Sequence, residues 1–366
     1  MVAFDRETIT PLIVEGVADR STGRAVEAND PVRIASISKL VMALAALRLE
    51  QEGKVDLDAD ISRYLGYPVR APGFPDTSVT LHQLLSHRSG LRDRAGYVIP
   101  LGESLREKLA DPDAWYDDAP PGEAPFAYAN LGSPVVATVL EAASGERFDA
   151  LLERLVFEPL GIDACANWIG CSPETVARAV VLYRDTGDIA RDDASGLPPN
   201  CTIPVAEGVR CDLSGYVPGS NASVFSPQGG VRMGMVDLAK IGQALVSEGA
   251  GLIAPEALNA ALASARPAVQ GQEFFCGYGL HFQMLEAPGR PCLDGLFEDG
   301  RARFGHAGEA YGLRSGLWFD PVSGTGLAYF ITAVPPRQSA EDEGGFDPRE
   351  IALVQRAQAM WADGYR

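Results

Sequence analysis

Strand-like segments stand at the two ends of this chain, and helix-like segments fill its middle. Near the start, Pro11 to Ala18 is apolar and rich in β-branched residues, a strand pattern. Near the end, Leu313 to Phe319 and Gly326 to Val334 are strand-like and are joined by the turn Asp320-Pro321-Val322-Ser323-Gly324. Between them, Ser36 to Glu52 carries Leu40, Val41, Leu44, Leu47 and Leu49 at helical spacing and stops at Gly53. Further helices are expected from a Thr80 cap, near Leu105 to Leu109, over Ser133 to Ala143, Phe148 to Leu155 and Val236 to Val246, with Arg349 to Trp361 closing the chain. A sheet built from both ends with helices inserted between them is an α+β arrangement. The expected division is a sheet domain from residues 1–60 and 226–366 and a mainly helical domain from 61–225. Residues 184–229 read as a long, irregular excursion of the kind kept for function.

The formal net charge of -18 disfavours nucleic acid and anionic lipid as partners, although its plainest meaning is solubility. No apolar run approaches the ~18 residues that a membrane span needs. Met1 to Thr8 contains Asp5, Arg6 and Glu7 and no apolar stretch, so it is not a signal peptide. As it stands the chain reads as cytoplasmic, and as periplasmic if an export signal has been removed. The six cysteines form no Cys-x-x-Cys and there are four histidines, so neither a zinc site nor another cofactor is expected. The cysteines are expected as reduced, partly buried thiols. In an exported protein Cys201 and Cys211 would close the loop they flank, with Cα atoms within about 7 Å.

Three short pieces carry chemistry. Ser36-Ile37-Ser38-Lys39 opens the strongest helix, and a spacing of three puts Lys39 on the face of Ser36. A serine hydroxyl needs a base, and a lysine buried at the positive end of a helix is pushed towards the neutral form that can act as one. The same helix start leaves the Ser36 N–H to hold an oxyanion. Tyr128-Ala129-Asn130 offers a phenol to share a proton with the lysine and an amide to orient a carbonyl. His306-Ala307-Gly308 precedes the strand-like Leu313 to Phe319, where Gly308 permits close backbone approach and the Glu309 N–H is a second oxyanion donor. Taken singly, each has a plainer reading: a capped helix with a snorkelling lysine, a packed aromatic, a solvated loop histidine. Gln228-Gly229-Gly230-Val231-Arg232-Met233 reads as a tight turn into a helix.

The order Ser-x-x-Lys, Tyr-x-Asn, His-x-Gly resembles that of the serine β-lactamase and penicillin-binding-protein superfamily. Within it the chain looks most like the class C β-lactamase-like group, which includes family VIII carboxylesterases, D-aminopeptidases and DD-peptidases. The resemblance extends through RIASISKLVMALAALRLEQEGKVDLDADISRYL, VTLHQLLSHRSGL, FAYANLG, SPQGGVRMGMVDLAKIGQAL and FGHAGEAYGLRSGLWFDP. It implies a β-lactamase/transpeptidase-like fold, an antiparallel sheet flanked by terminal helices beside a helical domain. It also implies a serine hydrolase in which Ser36 attacks a carbonyl and Lys39 and Tyr128 accept and return the proton. Asn130 would position the acyl group, with His306, Gly308 and Glu309 on the substrate side. His306 stands where class C β-lactamases carry the lysine of Lys-Thr-Gly, which weakens attraction for a substrate carboxylate.

The expected activity is therefore carboxylester hydrolysis on short acyl groups. The alternatives are a D-aminopeptidase- or DD-peptidase-like amidase, a weak β-lactamase, or an inactive ligand-binding relative. The expected partner is a small ester or amide. An α/β-hydrolase is disfavoured because no Gly-x-Ser-x-Gly occurs. There is likewise no phosphate-binding glycine loop and no His-Glu-x-x-His.

Overall fold

The computed structural model describes residues 1–191, 202–267, 275–285, 295–297, 299–336 and 345–362. Its strands in chain order are β1 Val2–Asp5, β2 Ile9–Pro11, β3 Val17–Asp19, β4 Arg24–Ala25, β5 Val32–Arg33, β6 Ala164–Ala166, β7 Leu182–Tyr183 and β8 Ile189–Arg191. They continue with β9 Val231–Met233, β10 Arg266–Pro267, β11 Gly277–Gly279, β12 Phe282–Leu285, β13 Arg303–Ala310, β14 Leu313–Asp320 and β15 Thr325–Ile331. Eight of them form one antiparallel sheet in the order β10-β11-β12-β13-β14-β15-β1-β2. The chain start thus lies inside the sheet, with Val2 opposite Ala328 and Phe4 opposite Gly326.

The two-residue alternation of a strand sorts this sheet's side chains onto two faces. Val2, Phe4, Leu317, Phe319 and Ala328 join the larger apolar cluster, together with the first long helix, α1 (Ile37–Gln51). Ala3, Trp318, Leu327 and Tyr329 join a second cluster with Val354 and Ala357 of the closing helix Pro348–Ala362. Glycine makes one close approach possible here: a Cβ on Gly242, in the helix Met235–Val246, would strike the Phe4 ring. The helical part includes Leu81–Leu85, Leu105–Ala110, Gly132–Ser144 and Phe148–Leu152. Thr80 caps the first of these in a full capping box with Gln83. Within this part Glu141 is fully buried and accepts from Tyr216 Oη, the Gly219 N–H and the Phe148 N–H.

The α+β class, the antiparallel sheet with its flanking helices and the helical part are as expected, but several local expectations fail. Pro11 to Ala18 is not one strand: β2 ends at Pro11 and β3 begins at Val17. In the return from the sheet edge only Ile13 and Ala18 are buried, while Val14 and Val17 face outward. Residues 303–310 were not expected as a strand, yet form the long β13. The helix expected over Phe148 to Leu155 passes into a π-helical turn at Glu153–Phe157. Cys165 and Cys171 are not thiols but are joined as a disulfide across the turn that follows β6. The suggested Cys201–Cys211 pair lies outside the described residues because Cys201 does.

Candidate active site

Ala35 turns the chain into α1 with a φ of 48°, in the left-handed region that an alanine seldom occupies. That turn leaves Ser36 at the helix cap position, half-exposed, and the Ser36 N–H has no hydrogen-bond partner among the described residues. No acidic residue occupies the first turn, so nothing on the helix itself neutralises its positive end. α1 is buried on nearly all sides, which marks a central helix rather than a surface one. Lys39, one turn in, has no accessible surface.

Three acceptors surround the Lys39 ammonium: Ser36 Oγ at 3.1 Å, Asn130 Oδ1 at 2.9 Å and the Gln228 carbonyl at 2.9 Å. Its Nζ also lies 4.7 Å from the centre of the Tyr128 ring, a cation–π contact. Burial pushes Lys39 down to about 7, and the Asp93 carboxylate opposes the shift. Amide and carbonyl oxygens only accept. When Lys39 is neutral, its two N–H groups therefore remain with Asn130 and Gln228, and its lone pair is left facing Ser36 Oγ.

Asn130 is held from its other side. Asp93 Oδ2 accepts from the Asn130 backbone N–H at 2.9 Å and from Nδ2 at 3.0 Å, while Oδ1 accepts from the Leu131 N–H at 2.9 Å. Asp93 was missed by sequence reasoning. Gln228 was seen only as part of a turn. The segment 231–233 is instead strand β9, which pairs with β5 and β6, and the Val231 N–H donates to Ser38 Oγ. Gln228 is thereby fixed beside α1. The disulfide loop supports the same region, since the Asn167 N–H donates to the Gly230 carbonyl.

β13 runs along the mouth of this cluster. A Cβ on Gly308 would lie 2.5 Å from the Ile34 carbonyl and would also strike Ser315 Oγ, so only glycine lets the strand come this close to the start of α1. Glu309 is exposed and forms an ion pair with the buried Arg314 opposite it. His306 is not a loop residue; it sits inside β13 with no accessible surface. Its Nδ1 meets the Ala307 carbonyl at 2.6 Å and its Nε2 meets the Tyr278 hydroxyl at 3.2 Å. Burial first, then the nearby Lys39 charge, pushes His306 down to about 3. All the expected site residues are thus drawn to one place, with His306 behind the others.

The Beta-lactamase family model matches residues 3–347. The chain belongs to the β-lactamase family. Among curated proteins, this family member is 36% identical over 186 residues to Esterase EstB of Burkholderia gladioli, covering 47% of this chain and 46% of that one. It is 33% identical over 185 residues to the D-alanyl-D-alanine-carboxypeptidase/endopeptidase AmpH of Escherichia coli, covering 44% and 47%. The chain thus spans about half the length of these curated relatives. Among solved structures, the D-amino acid amidase of Ochrobactrum anthropi with L-phenylalanine superposes with a TM-score of 0.69 at 19% identity, over 99% of this chain and 94% of that one. A penicillin-binding protein homologue from Pyrococcus abyssi gives 0.68 at 20% identity, over 98% and 72%. At these identities the two structures speak for the fold alone.

Proposed function

We propose that this protein is a serine hydrolase that forms an acyl-enzyme at Ser36. The observation that carries the reading is the lone pair of neutral Lys39, left facing Ser36 Oγ at 3.1 Å by the two carbonyl acceptors that hold its N–H groups. Lys39 takes the serine proton as the hydroxyl attacks a carbonyl, and Tyr128, stacked on Lys39, helps return it to the leaving group. The Ser36 and Glu309 N–H groups receive the oxyanion, with Gly308 keeping β13 within reach. Water then releases the acid.

The substrate class follows from His306. Buried and neutral, it gives the third motif no cation for a carboxylate, and Arg314 is already paired with Glu309. Acyl donors without a carboxylate therefore fit better than β-lactams or peptides recognised by a terminal carboxylate. Between amide and ester, the curated relatives offer both: a D-alanyl-D-alanine-carboxypeptidase/endopeptidase stands beside an esterase. We place small D-amino-acid amides first and short esters second. The disulfide supports an oxidising compartment and hence an exported protein. The test is a panel of D-alanyl p-nitroanilide, p-nitrophenyl butyrate and nitrocefin compared by kcat/KM on one preparation. Nitrocefin at or above the other two overturns the substrate reading; no turnover and no Ser36 labelling by a fluorophosphonate overturns the acyl-enzyme.

A further inference from the structure

Three of the chain's four histidines converge on one hydroxyl. His87 Nε2 lies 3.1 Å from Tyr278 Oη, His281 Nδ1 2.9 Å and His306 Nε2 3.2 Å. All four side chains are buried, and desolvation holds the three imidazoles neutral, helped by the nearby Lys39 charge. A neutral imidazole carries one proton, and the bonds on the far sides of the rings say where it is.

The Ala307 carbonyl only accepts, so His306 Nδ1 bears the proton and its Nε2 accepts from the Tyr278 O–H. The Ala129 backbone N–H donates to His87 Nδ1 at 3.2 Å, so that nitrogen is bare and His87 Nε2–H donates to the Tyr278 oxygen. With the hydroxyl proton committed to His306, His281 must donate from Nδ1. Its Nε2 is then a lone pair, and that atom is buried with no partner among the described residues. The hydroxyl thus gives one bond and takes two, the full capacity of a phenol with an accessible proton and two lone pairs.

The network joins two halves of the site. His87 follows the helix Leu81–Leu85, and besides receiving the Ala129 N–H its carbonyl accepts from the Ala127 N–H at 3.1 Å. Both backbone neighbours of Tyr128 therefore hang on His87, whose ring also packs on the Tyr128 ring at 4.5 Å between centroids. On the other side His306 and Tyr278 belong to the sheet, in β13 and β11.

We propose that Tyr278 is a positioning residue for acyl transfer: through His87 and His306 its hydroxyl sets the placement of Tyr128 relative to the oxyanion-binding edge of β13. This rests on the acyl-enzyme reading of the site, so its test uses a probe indifferent to the natural substrate. A fluorophosphonate needs the nucleophile, its base and the oxyanion donors, and nothing else specific. In Tyr278→Phe the maximal labelling rate falls by ~10–100-fold, the scale of a misplaced catalytic group, while the half-saturating probe concentration holds. In the wild-type protein, imidazole nitrogen NMR assigns Nδ1–H to His281 and His306 and Nε2–H to His87. Labelling of Tyr278→Phe at the wild-type rate, or a His306 carrying Nε2–H, overturns the proposal. Should Tyr278→Phe not fold, His87→Gln and His87→Ala read the same link. Gln keeps an N–H donor towards Tyr278 and labels faster than Ala, and equal rates overturn the proposal. A wild-type protein that does not label at all speaks instead against the acyl-enzyme, and the tautomer pattern then decides the hydrogen-bond assignment by itself.

Discussion

Lys39 and Asp93 hold opposite ends of one amide: Lys39 Nζ donates to Asn130 Oδ1, and Asp93 Oδ2 accepts from Asn130 Nδ2. The acid thus orients the residue that orients the base, and its charge also raises the lysine pKa against burial. Asp93→Asn removes that charge and sets an N–H against the donors of Asn130 and Leu131. The expected result is a slower enzyme whose acid limb in the pH–rate profile moves to lower pH. A limb that stays or moves up would show that Asp93 is not felt at Lys39.

Ser36→Ala is expected to abolish hydrolysis and fluorophosphonate labelling while the melting temperature stays within a few degrees of the parent. Ser36 is half-exposed and makes no side-chain cap bond to its helix, so little of the fold depends on its hydroxyl. Turnover close to the wild-type rate would remove Ser36 from the reaction.

The pH dependence follows from Lys39. Its base form is the neutral amine, and burial brings its pKa to about 7. The value of kcat/KM therefore rises with pH through about 7 and levels above it. The linked stability has the same sign. From about 7 up to the ordinary 10.5 the unfolded chain binds the lysine proton and the folded chain does not, so stability increases with pH across that window. Lys39→Met should abolish turnover and remove the lysine's share of the rise in melting temperature above about pH 7.

Gly308→Ala places a methyl against Ser315 Oγ, which can rotate away only by giving up its bond to the Ile34 carbonyl, and against that carbonyl itself, which cannot withdraw without moving the start of α1. Overpacking of this kind costs about 1–3 kcal/mol, but the larger effect is on rate, because β13 is displaced from Ser36. We expect kcat to fall by ~100-fold. A variant with normal kcat and only lower stability would separate β13 from oxyanion binding.

Glu141→Ala strands Tyr216 Oη and the Gly219 and Phe148 N–H groups in a buried site. The expected loss is on the order of 3 kcal/mol in denaturant unfolding. A loss below about 1 kcal/mol would mean that water satisfies these groups.

Legibility in the sequence followed periodicity and spacing. α1 showed itself through Leu40, Val41, Leu44 and Leu47, and Ser36 with Lys39 through a spacing just under one helical turn. β15 was visible as a largely apolar run, and β14 through Leu317, Trp318 and Phe319 just before the turn at Asp320-Pro321. β13 was not, since RFGHAGEA contains two glycines and few apolar residues. Its stability comes from pairing with β12 and β14, which no local pattern records. Asp93 and Tyr278 lay hidden for a related reason. Each acts on residues 37 and 28 positions away respectively, and neither stands in a motif. The Cys165–Cys171 bridge closes over a turn whose Asn167 and Trp168 both have positive φ, a conformation common for Asn but not announced by Trp168.

Because β1 is bonded to β15 on one side and β2 on the other, the sheet closes only after Ile331 has left the ribosome. Until then α1 has its helical neighbours Gly132–Ser144 and Phe148–Leu152 but lacks the cover that β13 and β14 give it, and that side of an apolar helix stays open. A polypeptide halted before β13 already contains Ser36, Lys39, Tyr128 and Asn130 yet has no strand edge to receive an oxyanion. On the acyl-enzyme reading, acylating power therefore arrives late in synthesis.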